Sequence, residues 1–211
     1  MTPLNAKTST LFTIGHSSHD LADFLSVLIN HNVKILCDVR SRPGSMRFPQ
    51  FNREPLEALL TSAGLGYKFL GEALGGRPAD PRVYHSDGLV DYAARRKSRE
   101  FADGIDRLLE LLRAESIVLM CAEEDPLQCH RFLMICPALL ERGVVPAHIR
   151  RGGILESQRD AEDRLLELHG RTAFATGSLF VSERDSAIEE ALQLQSKEFA
   201  FRASPEAIEY F

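Results

Sequence analysis

The chain has 211 residues, of which 44% are hydrophobic and 26% charged, with a formal net charge of −5. These are the values of an ordinary globular protein, and the charge excludes one that coats nucleic acid or anionic membrane by bulk electrostatics. The opening MTPLNAKTSTLF has one lysine and no apolar stretch of signal-peptide length, and no apolar run of roughly 18 residues occurs, so a cytoplasmic location without membrane partners is expected. Four cysteines (Cys37, Cys121, Cys129 and Cys136) are too few for a disulfide framework in a chain this long, so packing, metal or catalysis must account for them.

Short β-rich runs alternate with amphipathic helical patterns, without internal repeats, which predicts an α/β domain with a mostly parallel sheet flanked by helices, a Rossmann-like three-layer arrangement. LFTIGHS (11–17) reads as the first strand, followed by a helix from about Ser18 with Leu21, Phe24, Leu25 and Leu28 on one face. KILCDV (34–39) is the second strand, and the loop RSRPGSMRFPQF follows it. Asn52 is placed to cap a helix buried through Leu56, Leu59, Leu60 and Ala63 and ended by Gly64. YKFLG (67–71) is the third strand.

Residues 71–97 are rich in Gly, Pro, Asp and Arg, a connection long enough to fold over a site. Ser98 can cap a helix carrying Phe101, Ile105, Leu108, Leu109 and Leu112, and SIVLMC (116–121) is apolar on both faces, as a central strand must be. Asp125 and Pro126 predict a helix start, with the helix running to Arg142, kinked at Pro137 and stopped by Gly143. AHIRR (147–151) is a fifth strand and a polar helix covers about 156–169. Residues 1–170 thus form the α/β domain, and 171–211 a C-terminal extension with a helix over Ser182 to Phe199.

The reactive residue types cluster just after strand ends: Gly15, His16 and Ser17 after the first, Asp38, Arg40 and Arg42 after the second, Cys121 and Glu123 after the fourth. Ligands of open parallel sheets bind outside the carboxyl ends of the strands, so these positions predict one crevice. Arg40, Arg42, Arg47 and Arg53, interleaved with Phe48 and Phe51, make a basic aromatic loop over 40–53 without a carboxylate. Such a loop can hold the phosphate of a nucleotide or nucleic acid, or its arginines can pair with surface carboxylates while the rings fasten it to the core.

Three chemistries compete for LMCAEEDPLQCHR (119–131). Cys121 at a strand end, with His130 and Arg131 near, is a candidate nucleophile. Cys121, Cys129, His130 and a distant His16 could hold zinc or iron, although the C-x7-C spacing is unusual and adjacent Cys129 and His130 would leave a helix on different faces. Free cysteine is also a common core residue, the assignment made for Cys37 and Cys136. His16 can act as base or phosphate ligand, with Asp38 to orient it, and His85 can reach the site on the 71–97 loop or stay solvated.

TIGHS at 13–17, DVRSRP at 38–43, FN at 51–52, LGEALGG at 70–76 and the C-A-E-x-D-P-x-x-C-H-R run from Cys121 to Arg131 resemble the bacterial family known as domain of unknown function 488. The resemblance covers roughly residues 11–151 and implies a compact α/β domain whose motifs build an active-site-like cluster, without an established reaction.

The expectation is therefore an enzyme acting on a phosphate-bearing substrate, a nucleotide or a modified or damaged nucleic acid. His16, Asp38, Cys121, Glu123 and His130 are its candidate catalytic residues. Gly15, Ser17, Arg40, Arg42, Arg47, Asn52 and Arg131 are its candidate substrate ligands. No cofactor is expected, zinc or iron being the alternative. The competing expectations are a non-catalytic module binding a nucleotide or single-stranded nucleic acid, and a metal-supported domain. The sequence specifies no oligomer interface.

Overall fold

A computed structural model of the chain describes residues 9–16, 19–175 and 181–204. A six-stranded sheet runs β3-β2-β4-β1-β5-β6, where β1 is Leu11–Gly15, β2 Ile35–Asp38, β3 Gly66–Phe69, β4 Ile117–Cys121, β5 Ala147–Ile149 and β6 Leu155–Ser157. All pairings are parallel except that of β5 with β6. The β1 and β4 strands are buried throughout, which their two-sided apolar runs require of central strands. Side chains alternate between the faces: Val118 and Met120 enter one core, Ile117, Leu119 and Cys121 the other.

The first core is closed by α1 (Leu21–Asn30) and α2 (Arg53–Ser62), through Phe24, Leu28, Leu56 and Leu60. The two short helices α3 (Gly71–Leu74) and α4 (Tyr92–Arg96) lie in the long 71–97 connection. The second core is closed by α5 (Arg99–Ala114), α6 (Cys136–Leu140) and α7 (Gln158–Leu168), with Phe101, Ile105, Leu139 and Leu165 wholly buried. After α8 (Thr172–Ala175), α9 (Val181–Phe199) adds Ala187, Ala191 and Leu192 to this same core, so the extension shares the main hydrophobic interior. Ser98 accepts from Phe101 N as expected, and the first helix, expected from about Ser18, starts at Leu21 with Asp20 as its cap, accepting from Asp23 N at 2.8 Å. No helix among the described residues is long and apolar enough to cross a membrane.

Two expected elements differ. The single helix over 126–142 is instead a 3-10 turn (Pro126–Gln128), an extended residue at Cys129 (φ −136°, ψ 140°), a π-helical turn (Arg131–Ile135) and then α6. Asp125 caps only the first turn, and Pro137 lies inside a continuous helical stretch, directly after the π-helical turn that interrupts the regular ladder. The chain leaves helical geometry altogether at Cys129, which sets Cys129 and His130 side by side at the cavity. The polar stretch Leu155–Ser157 forms the antiparallel edge strand β6 in a region expected to begin a helix.

Candidate active site

The strand order places β4 between β2 and β1, with Asp38 opposite Met120 and Gly15 opposite Cys121. Three motifs far apart in the chain therefore end side by side at the carboxyl edge, where a cavity of about 430 Å³ opens. Cys121, Cys129 and His130 line it as buried residues, and Glu123, Arg42 and Arg47 line it as exposed ones, with Phe48 half-buried beside them.

The acidic and basic residues of 123–131 divide by direction. Glu124 pairs with Arg150 at 2.9 Å and Asp125 with Arg164 at 2.7 Å, so both are spent in anchoring the turn. Glu123 alone faces the sulfur, its carboxylate 3.0 Å from Cys121 Sγ. Arg131 is buried beneath the turn and donates to the main-chain oxygens of Ile14 (3.1 Å), Glu123 (2.6 Å) and Glu124 (2.7 Å). Expected to hold phosphate, it is instead occupied by three carbonyls and is absent from the cavity lining.

His130 Nδ1 lies 3.7 Å from Cys121 Sγ and 3.8 Å from Cys129 Sγ. Its Nε2 is 3.0 Å from the Val39 carbonyl, an atom that can only accept, so Nε2 carries the proton there. Gly76 makes room for this ring: a Cβ at that position would stand 2.9 Å from His130 Cγ. Cys129 donates toward Cys121, and with the charge on His130 this brings the Cys121 thiol down to about 6, against its burial and the opposing charge of Glu123. Burial, reinforced by Cys121, pushes the Cys129 thiol well up, so that it keeps its proton. Burial opposes charge on His130, but Cys121 and Glu123 outweigh it and raise its pKa. Burial likewise opposes charge on Glu123, and hydrogen bonding from Cys121 outweighs it and lowers the carboxyl. Cys121 is thus the more acidic sulfur of the pair, and while protonated it donates to the Glu123 carboxylate at 3.0 Å. Cys37 and Cys136, by contrast, are pushed up by burial, Cys37 to about 12, as packing thiols are.

Asp38 does not reach His16. Its carboxylate grips Arg40 (2.6 and 2.9 Å) and accepts from Tyr67 Oη at 2.9 Å, all out of solvent. Arg40 in turn donates to the Phe51 carbonyl and, at 3.2 Å, to His16 Nε2. That bond uses the basic nitrogen of His16, whose ring is stacked on Phe51 and whose pKa falls to about 4 through burial and the Arg40 charge. His16 and Asp38, expected as base and orienter, thus set the position of Arg40 on the cavity wall. Gly15 touches no ligand space either: a Cβ there would fall 1.7 Å from the Glu123 oxygen, so it exists to let the 123–124 turn cross β1.

Asn52 sits at the start of α2 but spends its side chain on Ser45 N, at 2.6 Å, fastening the basic loop instead of capping the helix or meeting a ligand. Arg53 lies over the Phe69 ring. Arg42 and Arg47 remain exposed at the cavity mouth without an acidic partner among the described residues. Ser17 lies outside the described residues. His85 is half exposed near Asp91 and lines no part of this cavity. Lining residues without a functional signal in the sequence include Tyr92 and Arg77 from the 71–97 connection, Phe199 at the end of α9, and Phe201 beyond it, over whose ring Arg77 stacks at 4.7 Å. Only the nearby LGEALGG run hints at Arg77.

The model of the family described as "Domain of unknown function DUF488" matches residues 20–135, more than half of the chain. The chain belongs to the DUF488 family. Two crystal structures of a protein from Shewanella putrefaciens CN-32, described as "Putative phosphatase (DUF442)", resemble this DUF488 protein over 91% of its chain and 89% and 87% of theirs. The identities are 10% and 11% and the TM-scores 0.37 and 0.38, a distance at which the likeness says nothing about chemistry. No curated protein matches this DUF488 sequence.

Proposed function

We propose that this protein is an enzyme acting on a phosphate-bearing substrate, a nucleotide or a modified nucleic acid, with Cys121 as the reacting thiol. The observation that carries the proposal is that one cavity is lined both by the buried Cys121 and His130 and by the exposed Glu123, Arg42 and Arg47. The two arginines supply forked donors for phosphate, and Phe48, beside Arg47, supplies a ring for stacking. His130 and Glu123 are placed to move protons at the sulfur.

Charge decides which part of the substrate meets the thiolate. A phosphate approaching Cys121 meets the Glu123 carboxylate, a repulsion of roughly 4 kcal/mol per pair of unit charges at 4 Å and an effective dielectric of 20. The phosphate therefore stays with the arginines, and an uncharged electrophilic portion, such as base or sugar, reaches the sulfur.

Incubation of the wild type and Cys121→Ser with a panel of nucleotides and short modified oligonucleotides, read by mass spectrometry, tests this. Product or a covalent adduct with the wild type, lost by several orders of magnitude in the variant at an unchanged melting temperature, is the expected result. Turnover undiminished in Cys121→Ser removes the thiol from the reaction. Ligand binding through Arg42 and Arg47 without any turnover leaves a binding module.

A further inference from the structure

The atoms that flank the Cys121 sulfur also have the makings of a metal site. Cys121 Sγ, Cys129 Sγ and His130 Nδ1 all lie within 4.8 Å of one another, each on a buried residue. A tetrahedral zinc ion, with Zn–S of about 2.3 Å and Zn–N of about 2.0 Å, holds its sulfur and nitrogen ligands roughly 3.6 Å apart. The observed S···N separations of 3.7 and 3.8 Å already have that spacing. The Val39 carbonyl holds a proton of His130 on Nε2 and leaves Nδ1 as the ring atom that faces both sulfurs, the outer-shell arrangement that orients a metal-bound imidazole. Helical continuity would have sent Cys129 and His130 apart, and the extended conformation at Cys129 is what brings them together.

We propose that Cys121, Cys129 and His130 form a binding site for a thiophilic divalent cation, zinc above all, with solvent from the cavity completing the tetrahedron. Two thiolates and an imidazole select such an ion over magnesium or calcium. His16 is no part of the set, because Arg40 occupies its Nε2. Binding releases to solvent the thiol protons and the Nδ1 proton of a charged His130, and leaves two thiolates and a neutral imidazole on the ion. The inference goes beyond the proposed reaction: metal and substrate compete for one sulfur, so the loaded protein is the protected and unreactive form.

The test uses the full chain, reduced and freed of metal with a chelator, then titrated with zinc or cobalt. The expected result is one equivalent of zinc held against a chromophoric chelator, and thiolate-to-cobalt charge-transfer absorption with cobalt. Cys129→Ser and His130→Ala should each weaken binding roughly 100-fold or more, and Cys136→Ala, a packing position, should leave it unchanged. Should either ligand variant fold poorly, alkylation of the wild type decides: zinc shields Cys121 and Cys129 and leaves labelling of Cys37 and Cys136 as it was. Binding well below one equivalent, unaltered affinity in folded Cys129→Ser, or no shielding overturns the site. A protein that binds zinc here but converts no substrate contradicts the proposed reaction alone, and one that reacts through Cys121 but ignores zinc contradicts only the metal site.

Discussion

The Arg131 guanidinium donates to the Glu123 main-chain oxygen at 2.6 Å while the Glu123 side chain reaches Cys121 on the other side of the turn. One residue thus ties the turn that presents the acid to the strand below it, through further bonds to Ile14 and Glu124. Arg131→Met leaves three carbonyls without a donor in a nearly waterless site and should cost roughly 3–5 kcal/mol. Arg131→Lys should recover only part, because an ammonium lacks the planar fork that reaches all three. Urea denaturation gives both values, and a loss under about 1 kcal/mol for Arg131→Met would return Arg131 to the role of ligand.

Gly15 faces the same turn. Since a Cβ at this position would overlap the Glu123 oxygen at 1.7 Å, Gly15→Ala must push the turn off β1. A destabilisation of about 3 kcal/mol or more is expected, together with slower labelling of Cys121, while Gly44→Ala, with open space around its Cβ, serves as the neutral control.

The thiol has a pH signature. In protein freed of metal, alkylation of Cys121 should rise through a midpoint near pH 6, where an ordinary cysteine would require a pH near 9.0. The Glu123 charge pushes this midpoint up, so Glu123→Gln should move it lower still. A midpoint above 8 in the wild type contradicts the thiolate.

Acid should unfold the protein early through two buried histidines. His16 and His148 have their pKa lowered from 6.5 to about 4, chiefly by burial, so the folded chain refuses protons that the unfolded chain accepts. Their contribution is full above pH 6.5 and is lost as the pH falls toward 4, each worth on the order of 3 kcal/mol. His148→Gln, which removes one of the two titrating groups, should flatten the dependence of stability on pH in that window.

Arg42 and Arg47 predict a salt effect. Arg42→Glu with Arg47→Glu should weaken binding of a short oligonucleotide and lower its salt slope by about 1–2, with the melting temperature unmoved. Equal affinity in both proteins would place phosphate elsewhere.

Much of the frame was legible because burial on both sides of a parallel sheet leaves continuous apolar runs: Leu11–Gly15 and Ile117–Cys121 announce central strands, and the residues after them meet at one edge. What stayed hidden depends on partners distant in sequence. An arginine aimed at carbonyls reads like one aimed at phosphate, so Arg131 was misplaced until Ile14, 117 residues away, came beside it. Glu124 and Asp125 resemble Glu123 in the sequence, and only Arg150 and Arg164, 26 and 39 residues on, separate anchoring carboxylates from the one at the sulfur. The break at Cys129 was invisible because Asp125-Pro126 starts a 3-10 turn as well as it starts a helix. Phe201 lines the cavity from a segment with no pattern of its own.

If one cavity joins phosphate-binding arginines to the Cys121 thiol, a crystal of the metal-free protein soaked with nucleoside monophosphates should show it. Phosphate is expected between Arg42 and Arg47, with the uncharged part of the nucleotide over Cys121. Phosphate density at the sulfur itself, or a nucleotide bound away from this cavity, would contradict that expectation.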